Sequence, residues 1–163
     1  MTHKKEWVDV LEEVVGRGCE GEDISDSVVV LFDVLLTVLS ECDTYVARSR
    51  RSVGGRSYVT YTIMPRERVA DKFRGDLLNA VVNVVRDAEG STEEVSISLR
   101  HMKGAHFFNL YGRVSCDVET QSCLVEYNDE YNDIELEDTV SREVWVRKIM
   151  DVLRRYVGDE GSE

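Results

Sequence analysis

The segment 28–42 constrains the fold more than any other part of the sequence. Eleven of its fifteen residues are apolar, and the four polar ones form a single narrow stripe when the segment is drawn as a helix. A helix that is apolar around most of its circumference must be buried on most sides. We therefore predict a central core helix over roughly 26–42, with Ser25 or Ser27 as its N-cap.

A β-hairpin is predicted from Tyr45 to Met64. Gly54 and Gly55 favour a two-residue turn, because both residues can adopt positive φ. Pairing across this turn places Arg50 opposite Val59, Arg51 opposite Tyr58, and Val46 opposite Ile63.

The remaining elements are predicted from apolar spacing and from turn residues. Helices are expected over 4–15, 66–88 and 140–157, the last capped by Thr139 or Ser141. Three further strands are expected over 95–99, 107–116 and 122–127. The prediction is a single α+β domain over 1–157, with an antiparallel sheet of about five strands packed on helices in the order ααββαβββα, and a short polar tail over 158–163.

A basic block from Val46 to Gly75 stands out in an otherwise acidic chain. The formal net charge of the chain is −12, whereas this block contains eight basic and only two acidic residues. Two of its arginines, Arg66 and Arg68, lie at a predicted helix N-terminus, where positive charge opposes the helix dipole. Because folding does not require such a separation of charge, we interpret the block as a docking surface for an anionic partner.

The predicted function is that of a non-enzymatic interaction or adaptor protein, a homodimer or a subunit of a larger assembly. Its partner would be an acidic segment of a protein, because the planar fork of arginine binds carboxylates bidentately. The predicted partner-binding residues are Arg48, Arg50, Arg51, Arg56, Tyr58, Arg66, Arg68 and Arg74.

Two other interpretations of the basic block remain open. The first is binding of single-stranded nucleic acid, with the same arginines on phosphates and Tyr58, Phe107 or Tyr111 stacking on bases. Exposed rings beside the arginines would favour nucleic acid, and buried rings would favour a protein partner. The second interpretation is edge protection, since charged side chains on an edge strand prevent aggregation.

The segment 103–111 partly matches the strand motif of RNA-recognition domains. Lys103, Gly104 and Phe107 agree with that motif, whereas Ala105 and Leu110 stand where aromatic residues should be. The strand aromatics are therefore expected to belong to the core.

No catalytic, metal or cofactor site is predicted. The glycines at 16, 18 and 21 match G-x-G-x-x-G, but they follow a helix and lie among acidic residues, which would repel phosphate. His101 and His106 have no carboxylate or cysteine at ligand spacing. We expect neither an enzyme nor a metalloprotein.

The cysteines and the apolar runs predict an intracellular protein, without separating cytoplasm from nucleus. Cys116 and Cys123 are expected to lie opposite each other on one hairpin, as two small core residues with free thiols in a reducing compartment. A redox switch is the less favoured alternative. No signal peptide is expected, and no apolar run approaches the roughly twenty residues of a membrane span.

The run 128–138 is rich in Asp and Glu and contains no glycine. An EF-hand loop requires a glycine at its sharp bend, so calcium binding is not predicted. We expect a solvated loop, with the alternative that it shields the basic hairpin until a competing anion arrives.

Overall fold

A single antiparallel sheet forms most of the described structure. The computed structural model describes residues 24–66, 76–103, 106–129 and 134–155. Within these residues there are seven strands and two helices. In chain order they are α1 (Ile24–Glu41), β1 (Thr44–Val53), β2 (Arg56–Pro65), β3 (Asp76–Arg86), β4 (Thr92–Lys103), β5 (His106–Asp117), β6 (Ser122–Asp129), β7 (Ile134–Ser141) and α2 (Arg142–Leu153).

The sheet is a meander, in which each strand pairs with the next one along the chain. The strand order is β1-β2-β3-β4-β5-β6-β7, so β1 and β7 are the two edges. Neighbouring strands lie about 4.8 Å apart, which separates the two edges by roughly 29 Å when the sheet is taken as flat.

The core lies between α1 and one face of the sheet, as the apolar run predicted. Val28, Leu31 and Val34 are at most 1% exposed, and α1 packs mainly over β4 to β7. Gly112 in β5 permits the close approach of the helix: a Cβ there would come within 2.9 Å of a Leu31 methyl carbon and 3.2 Å of a Val28 methyl carbon. We call this side of the sheet the helix face and the other side the opposite face.

The predicted hairpin is confirmed in position, turn and register. Gly54 and Gly55 have φ values of 58° and 80°, as a type I′ turn requires. Arg50 lies opposite Val59, and Arg51 lies opposite Tyr58.

The helix predicted over 66–88 is wrong, because Asp76–Arg86 forms strand β3 between β2 and β4. Its apolar residues fit a helical spacing only because they lie on both faces of a buried strand. Val82 and Val84 point to the helix face, and Val81 and Val85 point to the opposite face. Four β-branched residues within six positions favour the extended backbone over the helix.

The sheet therefore has seven strands rather than about five, and the predicted order ααββαβββα is wrong. The second difference is β7, since its residues Ile134–Ser141 include part of the run expected to be an acidic loop. The class remains α+β. The final helix begins as predicted, with the Ser141 hydroxyl accepting a hydrogen bond from the Val144 N–H at 3.2 Å. The predicted helix over 4–15 and the tail lie outside the described residues.

Cys116 and Cys123 are directly opposite each other, as predicted, but they form a disulfide bond instead of two free thiols. Both lie in the core, at 7% and 1% exposure. Their Cα atoms are 4.0 Å apart, because the pair sits on one face of the β5–β6 hairpin. Burial was therefore predicted correctly and the oxidation state was not.

Reduction of this bond is expected to lower the free energy of unfolding by about 2 kcal/mol. The cross-link closes a short loop, with a sequence separation of 7, and short loops stabilise less than long ones. Urea unfolding with and without reductant measures the difference. The double variant Cys116→Ser/Cys123→Ser is the control, because its midpoint should not respond to reductant. An equal response of both proteins, or four titratable thiols in denatured but unreduced wild type, would contradict the assignment.

Candidate functional site

The first strand of the basic hairpin, β1, is exposed along almost its whole length. Every residue of β1 after Thr44 is exposed, and β1 is an edge of the sheet. The apolar residues Val46 and Val53 are 45% and 55% exposed. Because β1 lies beyond the strands over which α1 mainly packs, both of its faces are accessible.

The arginines of β1 lie on both faces of this edge. Arg48 lies opposite Tyr61, in the cross-strand row of residues that includes Gly112 beneath α1, so Arg48 points to the helix face. Arg50 points the same way. Arg51 points to the opposite face, where its guanidinium carbon lies 5.1 Å from the centroid of the Tyr58 ring. This cation–π contact holds Arg51 against the sheet while leaving the residue exposed.

The hairpin arginines, like Arg86 and Arg100 but unlike the arginines from Arg113 onward, have no ion-pair partner among the described residues. Every described arginine from Arg113 onward lies within 4.0 Å of a carboxylate. Among the described residues, no carboxylate pairs with Arg48, Arg50, Arg51 or Arg56. Four unneutralised charges at one edge create a local positive potential in a chain of net charge −12.

Arg66 has a different position from the other predicted binding residues. Its Nε donates to Asp43 Oδ1 at 3.2 Å, and its Nη2 donates to the Thr44 carbonyl at 3.0 Å. These contacts fasten the base of the hairpin, so the structure places Arg66 in a supporting position. Arg68 and Arg74 lie outside the described residues.

The backbone of β1 also carries hydrogen-bonding groups on its free side. In a two-residue hairpin the residues flanking the turn, Val53 and Arg56, form a hydrogen-bonded pair, and bonded and non-bonded pairs then alternate along the ladder. Arg48 and Arg50 fall at non-bonded positions. Their N–H and C=O groups therefore point away from β2, toward the free side of the edge.

A groove of about 350 Å³ lies beside β1 on the opposite face. Its polar lining includes Arg51, Tyr58, Thr60, Asn83 and Glu94. The Thr60 hydroxyl donates to Asn83 Oδ1 at 2.7 Å, so part of this lining is fixed by an internal hydrogen bond. A partly fixed polar surface therefore lies next to Arg51.

Polar residues continue across the opposite face toward β7. Arg113 pairs there with Glu126 and lies 3.7 Å from Glu94. The hydrogen bond to Glu126 raises the pKa of Arg113, so the guanidinium stays protonated. Its positive charge is neutralised by the Glu126 carboxylate. Burial raises the pKa of the Tyr111 hydroxyl, although the nearby charge of Arg113 acts in the other direction.

A cavity of about 550 Å³ lies at the β7 end of this face. Its walls carry the carboxylates of Glu126 and Glu137. They also carry Asn109 and Asn128, whose Oδ1 atoms are buried and have no hydrogen-bond partner among the described residues. Carboxylates and amide oxygens accept hydrogen bonds, which makes this region unsuited to phosphate. This polar face was not predicted from the sequence, although polar and apolar residues alternate along β4, β5 and β6.

The predicted shielding of the hairpin by the acidic run is not supported by β7. That strand forms the edge of the sheet farthest from β1, so its exposed carboxylates Glu137 and Asp138 are separated from the arginines of β1 by five strands. Residues 130–133 of the run lie outside the described residues.

Only some of the minor sequence motifs lie in the described part of the chain. The partial RNA-recognition match does not lie on one strand, because Lys103 ends β4 and Phe107 lies in β5. The side chains of His101, His106 and Phe107, and the glycines 16, 18 and 21, lie outside what the structure describes. Within the described part, no group of three or more His, Cys, Asp or Glu is arranged to hold a metal ion.

No protein-family model, curated protein or solved structure matches the chain. In the part of the chain that the structure describes, no helix has the length and apolarity needed to cross a bilayer.

Proposed function

We propose that the protein is a non-enzymatic interaction subunit that docks an acidic protein segment along edge strand β1. The observation that carries the proposal is the combination of an exposed edge with arginines that no described carboxylate neutralises. Edge protection alone explains one or two charged residues. It does not explain three arginines within four positions, Arg48 to Arg51, continued by Arg56 across the turn.

The mode of binding is addition of a strand. An extended segment beside β1 would pair with the outward N–H and C=O groups of Arg48 and Arg50. Its carboxylates would meet those two guanidiniums on the helix face and Arg51 on the opposite face. Exposed Val46 and Val53 supply apolar contact at the two ends of the strand. Main-chain bonds then provide affinity, and charge provides specificity.

An acidic protein segment is favoured over nucleic acid by the surroundings of the arginines. Tyr58 is half-buried and already stacked against Arg51, and Tyr111 is half-buried. Neither ring is an exposed platform for a base. A nucleic acid that reached from Arg51 to Tyr111 would cross Glu94 and Glu126, which repel phosphate, whereas a segment that runs along β1 does not cross that face.

Two fluorescent probes test the proposal: a synthetic peptide in which pairs of glutamates alternate with pairs of valines, so that both faces of the strand carry carboxylates, and a single-stranded oligonucleotide of similar length. The peptide should bind with a gentle salt dependence. If the oligonucleotide binds instead, the logarithm of its association constant should fall with the logarithm of salt concentration by about 0.7 for each phosphate neutralised. Preference for the oligonucleotide would replace the protein partner by nucleic acid, and binding of neither probe would contradict the proposed function.

A further inference from the structure

The sheet ends in two edges of opposite charge. β1, Thr44–Val53, contains three arginines and no acidic residue, whereas β7, Ile134–Ser141, contains three acidic residues and no basic residue. The two strands are of similar length, at 10 and 8 residues. They lie far apart in the chain fold, so they do not neutralise each other within one molecule.

From this complementarity we propose that the acidic segment received by β1 is β7 of a second copy of the chain. This inference rests on the proposed function and names its partner. Two β1 edges repel each other, as do two β7 edges, so charge blocks both like pairings. Only the pairing of β1 with β7 is attractive.

The side chains that β1 and β7 present on the same face of the sheet also complement each other. On the helix face β1 presents Val46 and Arg48, and β7 presents Leu136 and Asp138. Leu136 and Val46 are each 45% exposed, so apolar contact accompanies the charge pairing. Helices on the same side require β1 and β7 to run parallel. With Arg50 beside Asp138 on the helix face, Arg51 of one copy lies two positions from Glu137 of the next on the opposite face, a diagonal separation that long side chains span. A sheet that continues from copy to copy with its helices on the same side therefore brings opposite charges together on both faces.

One carboxylate of β7, that of Glu137, lies next to another negative charge within the sheet. Glu137 lies directly opposite Glu126 on the opposite face, and like charges in that position destabilise a sheet. Arg113 is bonded to Glu126, and among the described residues no cation pairs with Glu137. An arginine arriving beside β7 would relieve this repulsion.

The contact uses different surfaces on the two copies. It leaves one β1 and one β7 unpaired in every dimer, so it propagates into chains or closes into a ring. This differs from a two-fold homodimer, in which the same surface meets itself.

Analytical ultracentrifugation with two charge-reversed variants tests the inference. Arg48→Glu/Arg50→Glu makes both edges acidic, and Glu137→Lys/Asp138→Lys makes both edges basic. Wild type should assemble as its concentration rises and should dissociate in high salt. Each variant alone should remain monomeric, and their equimolar mixture should assemble again, because each supplies the edge that the other needs. Glu89→Lys/Glu119→Lys makes the same charge change as the second variant at exposed turn positions and should assemble like wild type.

The outcomes separate this inference from the proposed function. Wild type that stays monomeric at all concentrations in low salt, or variants that assemble alone as wild type does, would overturn the β1–β7 contact. If the monomeric wild type still bound the glutamate–valine peptide, the proposed function would stand with a different partner. The Glu137→Lys/Asp138→Lys variant should keep peptide binding, since its β1 is intact, and loss of binding there would count against both.

Discussion

Replacement of Val28 by aspartate is expected to abolish cooperative folding. Val28 is fully buried in α1 and packs above Gly112, so the substitution places a charge inside the hydrophobic core. An unpaired buried charge costs about 3–5 kcal/mol, a large part of the 5–15 kcal/mol that typically stabilises a domain. Thermal unfolding followed by circular dichroism should show no transition, or one at much lower temperature.

Leu39→Asp is the matched control for this experiment. Leu39 lies on the same helix but is 40% exposed, so its carboxylate remains hydrated and the melting temperature should change little. If Val28→Asp melted like wild type, α1 would not be the core element described here. An equal loss in both variants would instead indicate a general effect of charge on the helix.

Replacement of Arg48, Arg50 and Arg51 by serine is expected to eliminate partner binding while preserving the fold. These side chains are exposed and form no ion pair with the described carboxylates, and exposed substitutions usually change stability by about 0.5 kcal/mol or less. Binding should be lost because the variant removes the charge that the partner neutralises. Titration of the glutamate–valine peptide, together with a urea unfolding curve, measures both effects.

A second triple variant controls for net charge. Arg100, Arg147 and Arg154 are exposed and lie away from the hairpin, and their replacement by serine gives the same total charge. This variant should bind the peptide like wild type. Equal loss in the two variants would show that binding follows overall charge, and unchanged binding in the β1 variant would leave its arginines as edge protection only.

Local structure was predicted correctly where a few residues determine the backbone conformation. The glycine pair at 54 and 55 determines turn type, and the turn determines the register of the hairpin. The apolar circumference of α1 identified the core helix, and Ser141 identified the start of α2.

The two wrong predictions concern β3 and β7, strands that the local sequence pattern does not reveal. β3 has apolar residues on both faces, and this pattern resembles the periodicity of a buried helix unless β-branching is given more weight than spacing. The acidic composition of β7 concealed a strand, because its pairing with β6 comes from tertiary structure rather than from β-propensity. Both errors concern the sheet as a whole. The placement of oppositely charged strands at its two edges was therefore not visible in the sequence.

Assignment of backbone amide signals by NMR, with and without the glutamate–valine peptide, tests the docking of an acidic strand on β1 most directly. We expect the signals of the Arg48 and Arg50 amides, which point away from β2, to shift when peptide is added. These two amides should also become protected from hydrogen exchange. The Ser49 and Arg51 amides, already bonded to β2, should change less. Shifts centred on another element, or binding without protection of the two outward amides, would contradict the account.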